Sequence, residues 1–421
     1  MLKVYWPNNV VQFKGKSVSQ AWREEMARLG WEIQDKPDGA DLAFFISDSV
    51  IDEAVLGRMP SLVYFWGWPH TRLLDREFQR HAEGKLKLME RCTRVLVPGP
   101  TTLDQCNQFG LAAQVCFPGV DARTLSQPVT PWLGVRHDLL FIGRFDAPHK
   151  NLELLLQGMT LLNPSPALLV VGPGNAAPFQ QFASAYQLPV VFAELTDTEK
   201  VQAIRGTRMV VCPSEYEGFG MVPLEALYLG TPVLALDTPH NRWLLQEQAL
   251  FFSSVEGLAQ TIADVAQQEA AARQQAAVGQ RRVENAFTLE LASRRLWEHI
   301  HQAFKEHYGA LIRTNLHDPE VVRLCYEAEH RRDRWYAVGA LPGYETTGRV
   351  DPSWRRHWRA QHFIRELKAS GATNIVDIGS SKVYPAIFAL EGFEETAVDV
   401  SQDALDQAVE IAQKWGVGDR V

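Results

Sequence analysis

The sequence predicts an α/β protein of two doubly wound, parallel-sheet domains, and three observations carry that expectation. Short apolar runs alternate with helical patterns through residues 1–125, as successive βαβ units require. The alternation resumes at Leu139, after a stretch that carries Pro128 and Pro131. Between Met209 and Ala235 a strand, a glycine-bearing loop, a helix and a second strand follow one another. The first of these strands, Met209-Val210-Val211-Cys212, is continuously apolar, the mark of a strand covered on both faces. Pro223 is placed at N1 of the helix, where a missing N–H costs nothing, Gly230 stands at its C′ position, and Pro232 stops it. The loop between, Ser214-Glu215-Tyr216-Glu217-Gly218-Phe219-Gly220, offers backbone N–H groups at a helix N-terminus, a natural anion site.

A chain of 421 residues has room for two or three such domains. With 46% hydrophobic and 22% charged residues it has ample core, and the net charge of −8 argues against nucleic acid as the main partner. Five cysteines without a CxxC pair or interleaved histidines suit a reducing compartment and exclude a structural zinc framework. The N-terminus enters a strand at once with no secretory core, and no apolar run approaches spanning length. A cytoplasmic protein is therefore expected.

In the first domain (1–125) strands are expected at 2–6, 41–46, 61–66, 94–97 and 113–117, with helices at 17–29 and 76–91. Gly15, between Lys14 and Lys16, lies in the turn from strand one to its helix, the usual place for a phosphate-facing loop. His70 follows the strand at 61–66 and so faces the crevice at the carboxyl ends of the strands. The charged segment from Arg72 to Arg91 reads as a solvated face, with peripheral contact to an anionic membrane surface as the alternative.

Residues 124–137 read as the interdomain linker, and the second domain spans 138–308. Its first strand ends in Gly143-Arg144, and Lys150 follows six residues later before a helix. Arginine offers a planar fork for two phosphate oxygens and lysine a compact point charge, so the pair suits a diphosphate. Gly172 and Gly174 form a second strand-to-glycine turn. No D-x-D metal motif occurs in this domain, and no metal site is expected.

Glu217 in the loop and Glu225 in the helix have seven residues between them, flanked by PSEYEGFG and PLEALYLGTPV. This block resembles the E-x7-E signature of retaining GT-B glycosyltransferases of the family 4 type. The turn Phe117-Pro118-Gly119-Val120-Asp121 resembles that family's PNGVD turn. The resemblance implies a GT-B fold, two Rossmann-like domains facing across a cleft, with a last helix crossing back to the first domain. It implies that Glu217 takes hydroxyls of the donor sugar and Glu225 those of the nucleotide ribose. Arg144 and Lys150 would clamp the diphosphate without a divalent metal, and His70 would stand near donor sugar and acceptor. Gly15, Gly143, Gly172, Gly174, Gly218, Phe219, Gly220, Met221 and Val222 would contact a UDP- or GDP-linked donor. The reaction implied is front-face transfer of a sugar to a hydroxyl of a glycan, lipid or small-molecule acceptor. A GT-B sugar-nucleotide epimerase or hydrolase is the alternative enzyme, and a degenerate transferase serving as scaffold for a methyltransferase is the non-enzyme alternative.

Residues 312–370 change character: arginines and tryptophans cluster at 331–335 and 354–359. Such interleaving can bind single strands, but with acids nearby it reads as a helical linker, and no nucleic acid is expected. At 371–421 a strand ending Asp377-Ile378-Gly379, a helix and a strand ending at Asp399 form one βαβ unit. It resembles the opening of a class I S-adenosylmethionine methyltransferase, with Asp377, Gly379 and Asp399 at the cofactor. A whole domain of that class needs roughly 150 residues, so the unit reads as truncated, with S-adenosylmethionine binding expected only in a longer protein.

Overall fold

The computed structural model describes residues 2–7, 18–69, 73, 75–128, 130, 134, 137–314, 364–365, 367–369, 371, 373–378, 388–389, 391–398, 402–414 and 416–421. Two six-stranded sheets, parallel throughout, form the body of the protein. The first contains β1 (Leu2–Tyr5), β2 (Trp31–Gln34), β3 (Leu42–Phe45), β4 (Ser61–Tyr64), β5 (Arg94–Val97) and β6 (Gln114–Val115), in the order β2-β1-β3-β4-β5-β6. Helices α1 (Val18–Arg28), α2 (Arg76–Glu90) and α3 (Pro100–Gln108) belong to this half, and the short α4 (Ala122–Ser126) leads out of it.

The second sheet holds β7 (Leu139–Ile142), β8 (Leu168–Val171), β9 (Val190–Ala193), β10 (Met209–Cys212), β11 (Val233–Leu236) and β12 (Leu250–Phe252). Its order is β12-β11-β10-β7-β8-β9. Helices α5 (Leu152–Thr160), α6 (Ala177–Ala185), α7 (Asp197–Gly206), α8 (Met221–Tyr228), α9 (Pro239–Leu245), α10 (Val255–Gln267), α11 (Glu269–Ala286) and α12 (Leu289–Thr314) follow in chain order. In this sheet the direction of winding reverses between β10 and β7. At such a switch point the loops beyond the strand ends part and leave a crevice.

The continuous apolar runs become the strands buried on both faces: β3, β4, β8 and β10 have no exposed residue. The elements that the sequence left out are polar. Strand β2, WEIQ, is an edge strand paired only with β1, so a single residue, Trp31, is buried. Helix α3 begins on Pro100 and buries Thr102, Gln105 and Cys106, a face with little apolar periodicity. The strand expected at 113–117 shrinks to Gln114–Val115 at the other sheet edge.

Helix α12 leaves the second half and packs in the core of the first. Leu289, Ala292, Leu296, Trp297, Ile300 and Ala303 bury against Val4, Trp22, Phe44 and Tyr64. Arg94 at the start of β5 makes a forked pair with Glu306 of this helix, 2.9 Å on each arm. The crossing point is tight: Val120 bridges Thr288, donating to Phe287 O at 2.8 Å and accepting from Leu289 N at 2.9 Å. A Cβ on Gly119 would collide with the Thr288 carbonyl and with Leu289 N. Backbone cannot give way as a side chain can, so Gly119→Ala is expected to cost roughly 1–3 kcal/mol in denaturant unfolding.

Beyond α12, β13 (Asn374–Ile378) and β14 (Glu394–Val398) pair in parallel, followed by α13 (Gln402–Lys414). Ile364, Phe388 and Phe393 form a small separate core there. Among the described residues no helix is long and apolar enough to cross a membrane.

Candidate functional site

Two loops meet at the switch point of the second sheet. The loop after β7 delivers Lys150, and the loop after β10 delivers Glu217, 67 residues later in the chain. Lys150 Nζ donates to both Glu217 oxygens, at 2.7 and 2.8 Å, and the side chains are 19% and 17% exposed. Burial by itself would raise the Glu217 carboxyl. The Lys150 ammonium outweighs it and holds the group below the usual carboxylate range. The loops are also joined through backbone and side chains: Glu215 N donates to His149 O at 2.9 Å, and Asn151, left-handed at φ 57°, reaches Glu215.

A cleft of about 240 Å3 opens here, lined by Trp66, Lys150, Glu217, Gly218, Phe219, Gly220 and Met221, and by Val222 and Pro223 behind them. Trp66 comes from the end of β4, so the cleft lies between the two halves. Helix α8 starts at Met221, capped by Gly220 in the left-handed region (φ 97°) with no side-chain cap. Pro223 is therefore the third helical residue rather than the first. It still costs no helical bond, because the first four N–H groups have no intrahelical partner. Those N–H groups face the loop end. Phe219 contributes main chain, since its ring is buried and packs on Phe117, Trp243 and Phe287.

Glu225 sits one turn further, in a second, narrower opening with Ala21, Gly119, Asp121, Thr124, Asp197, Lys200 and Met221. Met221 borders both spaces. Lys200 Nζ donates to Glu225 Oε1 at 2.9 Å, while the buried Oε2 has no partner among the described residues. Burial disfavours the Lys200 charge, but the Glu225 carboxylate more than compensates and raises the ammonium above its ordinary value.

The other candidate residues divide. Gly143 lies beside Lys150, its hydrogen facing the lysine stem, and Gly172 packs against the Gly143 carbonyl. Gly174 packs on Phe145 and Asp146, so the second glycine turn supports the first rather than lining the 240 Å3 cleft. Arg144 is not joined to Lys150: its side chain is 72% exposed and meets Asp146 at 3.3 Å. Gly15 and His70, and likewise Gly379, Asp399 and the arginine–tryptophan clusters, lie outside the described residues. The backbone of Asp377 is in β13.

Three residues of the site were missed from sequence. Lys200 is the fourth residue of α7, whose Thr196–Glu199 capping box was legible and would have located the start of that helix. Tyr216 Oη donates to Trp66 O at 2.9 Å across the cleft, over Gly67, which is at φ 79°. Any side chain at Gly67 would strike that hydroxyl. His240 joins Phe219 O (2.9 Å) to Thr101 of the first half (3.0 Å), and burial lowers its pKa. Its Nε2 must then carry the proton for the carbonyl, leaving Nδ1 to accept from the Thr101 hydroxyl.

Residues 136–268 match the family model described as Glycosyl transferases group 1. The phosphatidyl-myo-inositol mannosyltransferase of Mycobacterium tuberculosis is 32% identical over 114 residues, 26% of this chain and 30% of that protein. The chain thus spans about 30% of the length of that relative. An uncharacterized glycosyltransferase of Methanocaldococcus jannaschii is 26% identical over 181 residues, 37% of this chain and 44% of that protein. Among solved structures, sucrose-phosphate synthase of Thermosynechococcus elongatus superposes with a TM-score of 0.59 at 17% identity, covering 72% of this chain and 99% of that one. The Anabaena protein Alr3699/HepE, solved with UDP and glucose, gives a TM-score of 0.61 at 15% identity, over 72% of this chain and 100% of that one. At such identities the likeness is one of fold. The two facing six-stranded domains are those of GT-B glycosyltransferases, and residues 136–268 carry the sequence pattern of the glycosyl transferases group 1 family.

Proposed function

We propose that this protein is a retaining glycosyltransferase that moves a sugar from a UDP- or GDP-linked donor to an acceptor hydroxyl. The observation that carries the reading is the placement of two carboxylates, each paired with a lysine, along one wall of the interdomain cleft. Glu217 with Lys150 takes the sugar and diphosphate end, and Glu225 with Lys200 takes the ribose end, with the start of α8 between them. In the described state Lys150 is engaged by Glu217, so an entering diphosphate shares that ammonium. The uncapped N–H groups of α8 add a fixed positive end to the same place. Arg144, exposed and tethered among the described residues to Asp146, can turn toward the departing diphosphate.

With two cations and a helix terminus at the leaving group, transfer proceeds without a divalent ion. The resemblance of the Glu217–Glu225 block to retaining glycosyltransferases supports front-face displacement, the acceptor hydroxyl entering on the side from which the diphosphate leaves. The acceptor is a glycan, a lipid or a small molecule, entering from the Trp66 side. The relatives named as mannosyltransferases of phosphatidyl-myo-inositol favour a lipid.

The test is a thermal-shift screen of UDP- and GDP-linked sugars, followed by transfer assays with the stabilising donor. One donor should raise Tm in a concentration-dependent way and support transfer. Stabilisation by a donor that is only hydrolysed or epimerised would favour the alternative enzyme. Arg144→Ala should lower kcat by roughly 10²-fold and leave stability unchanged, since that side chain is mostly solvated. Activity should survive excess chelator; its loss in EDTA with recovery on adding Mn2+ would overturn the metal-free mechanism.

The parallel pair β13–β14 supports a separate reading of this region as S-adenosylmethionine-binding, resting on the register of the two strands. Among the described residues two strands and a small core would wall the cofactor. Calorimetry should find S-adenosylmethionine affinity no tighter than about micromolar, and deletion of 371–421 should leave sugar transfer intact.

A further inference from the structure

The Lys200–Glu225 pair does more than neutralise a buried charge. A carboxylate alone in a narrow opening would turn either oxygen to whatever donor was nearest. Here the Lys200 side chain, 23% exposed and carried on the first turn of α7, donates from Nζ to Oε1 at 2.9 Å. Oε2 is left buried with no partner among the described residues, and Glu225 lines this opening together with Asp121, Thr124 and Met221. Leaving a buried carboxylate oxygen unmade is costly, and the cost is recovered only when a ligand donor arrives. From this geometry we infer that Lys200 is a positioning residue, which clamps one oxygen of Glu225 so that the other is presented, unpaired, to the ribose hydroxyls of the nucleotide. The inference rests on the proposed reading of Glu225 as the ribose contact. Lys200 need not touch the nucleotide at all.

The two ideas separate by experiment. Calorimetric titration would compare UDP with 2′,3′-dideoxy-UDP, and GDP with 2′,3′-dideoxy-GDP, on the full chain. Wild-type protein should prefer the ribonucleotide of the pair that it binds by about tenfold or more, because the dideoxy form leaves Oε2 unpaired. Glu225→Gln should abolish most of that preference. Lys200→Met should abolish it equally while leaving dideoxynucleotide affinity within about twofold of wild type, and Lys200→Arg should restore it. The double variant Lys200→Met/Glu225→Gln removes both charges and keeps the test open if Lys200→Met alone does not fold. It should match Glu225→Gln rather than fall below it. A Lys200→Met protein, or failing that the double variant, that loses affinity equally for both members of the pair would overturn the inference, since Lys200 would then contact base or phosphate directly. A wild-type protein with no ribose preference, or a Glu225→Gln variant that keeps it, would overturn the reading of Glu225, and with it the inference.

Discussion

Lys150→Ala is expected to reduce kcat by roughly 10²-fold or more and to destabilise the protein at neutral pH. The two effects have one origin. Lys150 is the partner of both Glu217 oxygens in a site where both side chains are largely buried, so its removal leaves an uncompensated carboxylate. Breaking a buried pair from one side costs about 3–5 kcal/mol, whereas removing both charges costs far less. Lys150→Met/Glu217→Gln should therefore recover most of the stability but none of the activity. The pH dependence follows by linkage. The Glu217 carboxyl is held below its ordinary value in the folded protein, so the pair's contribution is fully present above the ordinary carboxylate range. It is lost as pH falls through the folded value. Denaturant unfolding between pH 7 and acid should show a shallower loss of stability in the double variant than in wild type. Equal slopes would mean that the pair contributes nothing on the acid side.

Glu225→Ala and Glu217→Ala are expected to fail in different ways. Glu225 presents a buried, unpaired oxygen in the narrower opening, and its loss should weaken nucleoside diphosphate binding by about 10- to 150-fold, the worth of one charge-assisted hydrogen bond of roughly 1.5–3 kcal/mol. Glu217 has both oxygens committed to Lys150. Removing it frees that ammonium for phosphate, so nucleoside diphosphate should bind as well as before, or more tightly, while sugar transfer collapses. Calorimetric titration of the nucleoside diphosphate against both variants decides the matter. Equal losses in the two would contradict the division of the wall into a ribose end and a sugar end.

How much of this was legible beforehand follows from which interactions are local. The two-domain, parallel-sheet class lay in the apolar runs and their alternation with helical patterns: MVVC, LLVV and LAFF are too short for helices and read as strands covered on both faces, and the glycine loop and helix after MVVC follow from Gly220, Gly230 and Pro232. The spacing of Glu217 and Glu225 is likewise local, because one loop and one helical turn separate them. Strand β2 and helix α3 escaped because edge and polar elements take their stability from neighbours, not from their own periodicity.

The pairings were decided by tertiary structure alone. Arg144 and Lys150 are near in sequence and of one charge, which suggested a common task. The fold instead turns Lys150 inward to a glutamate on another strand's loop and leaves Arg144 in solvent. Lys200 meets Glu225 because helices α7 and α8 rise from β9 and β10, and nothing in either segment names the other. Tyr216 and His240 act across the join of the two halves, which exists only once α12 has crossed back. The sequence by itself determined the parallel-sheet class, the glycine loop before α8 and the spacing of the two carboxylates, since each is written in a run of fewer than about ten residues. Which cation answers which carboxylate, and which oxygen is left open, depended on strand order. That order is settled by packing between segments tens of residues apart, and no local pattern records it.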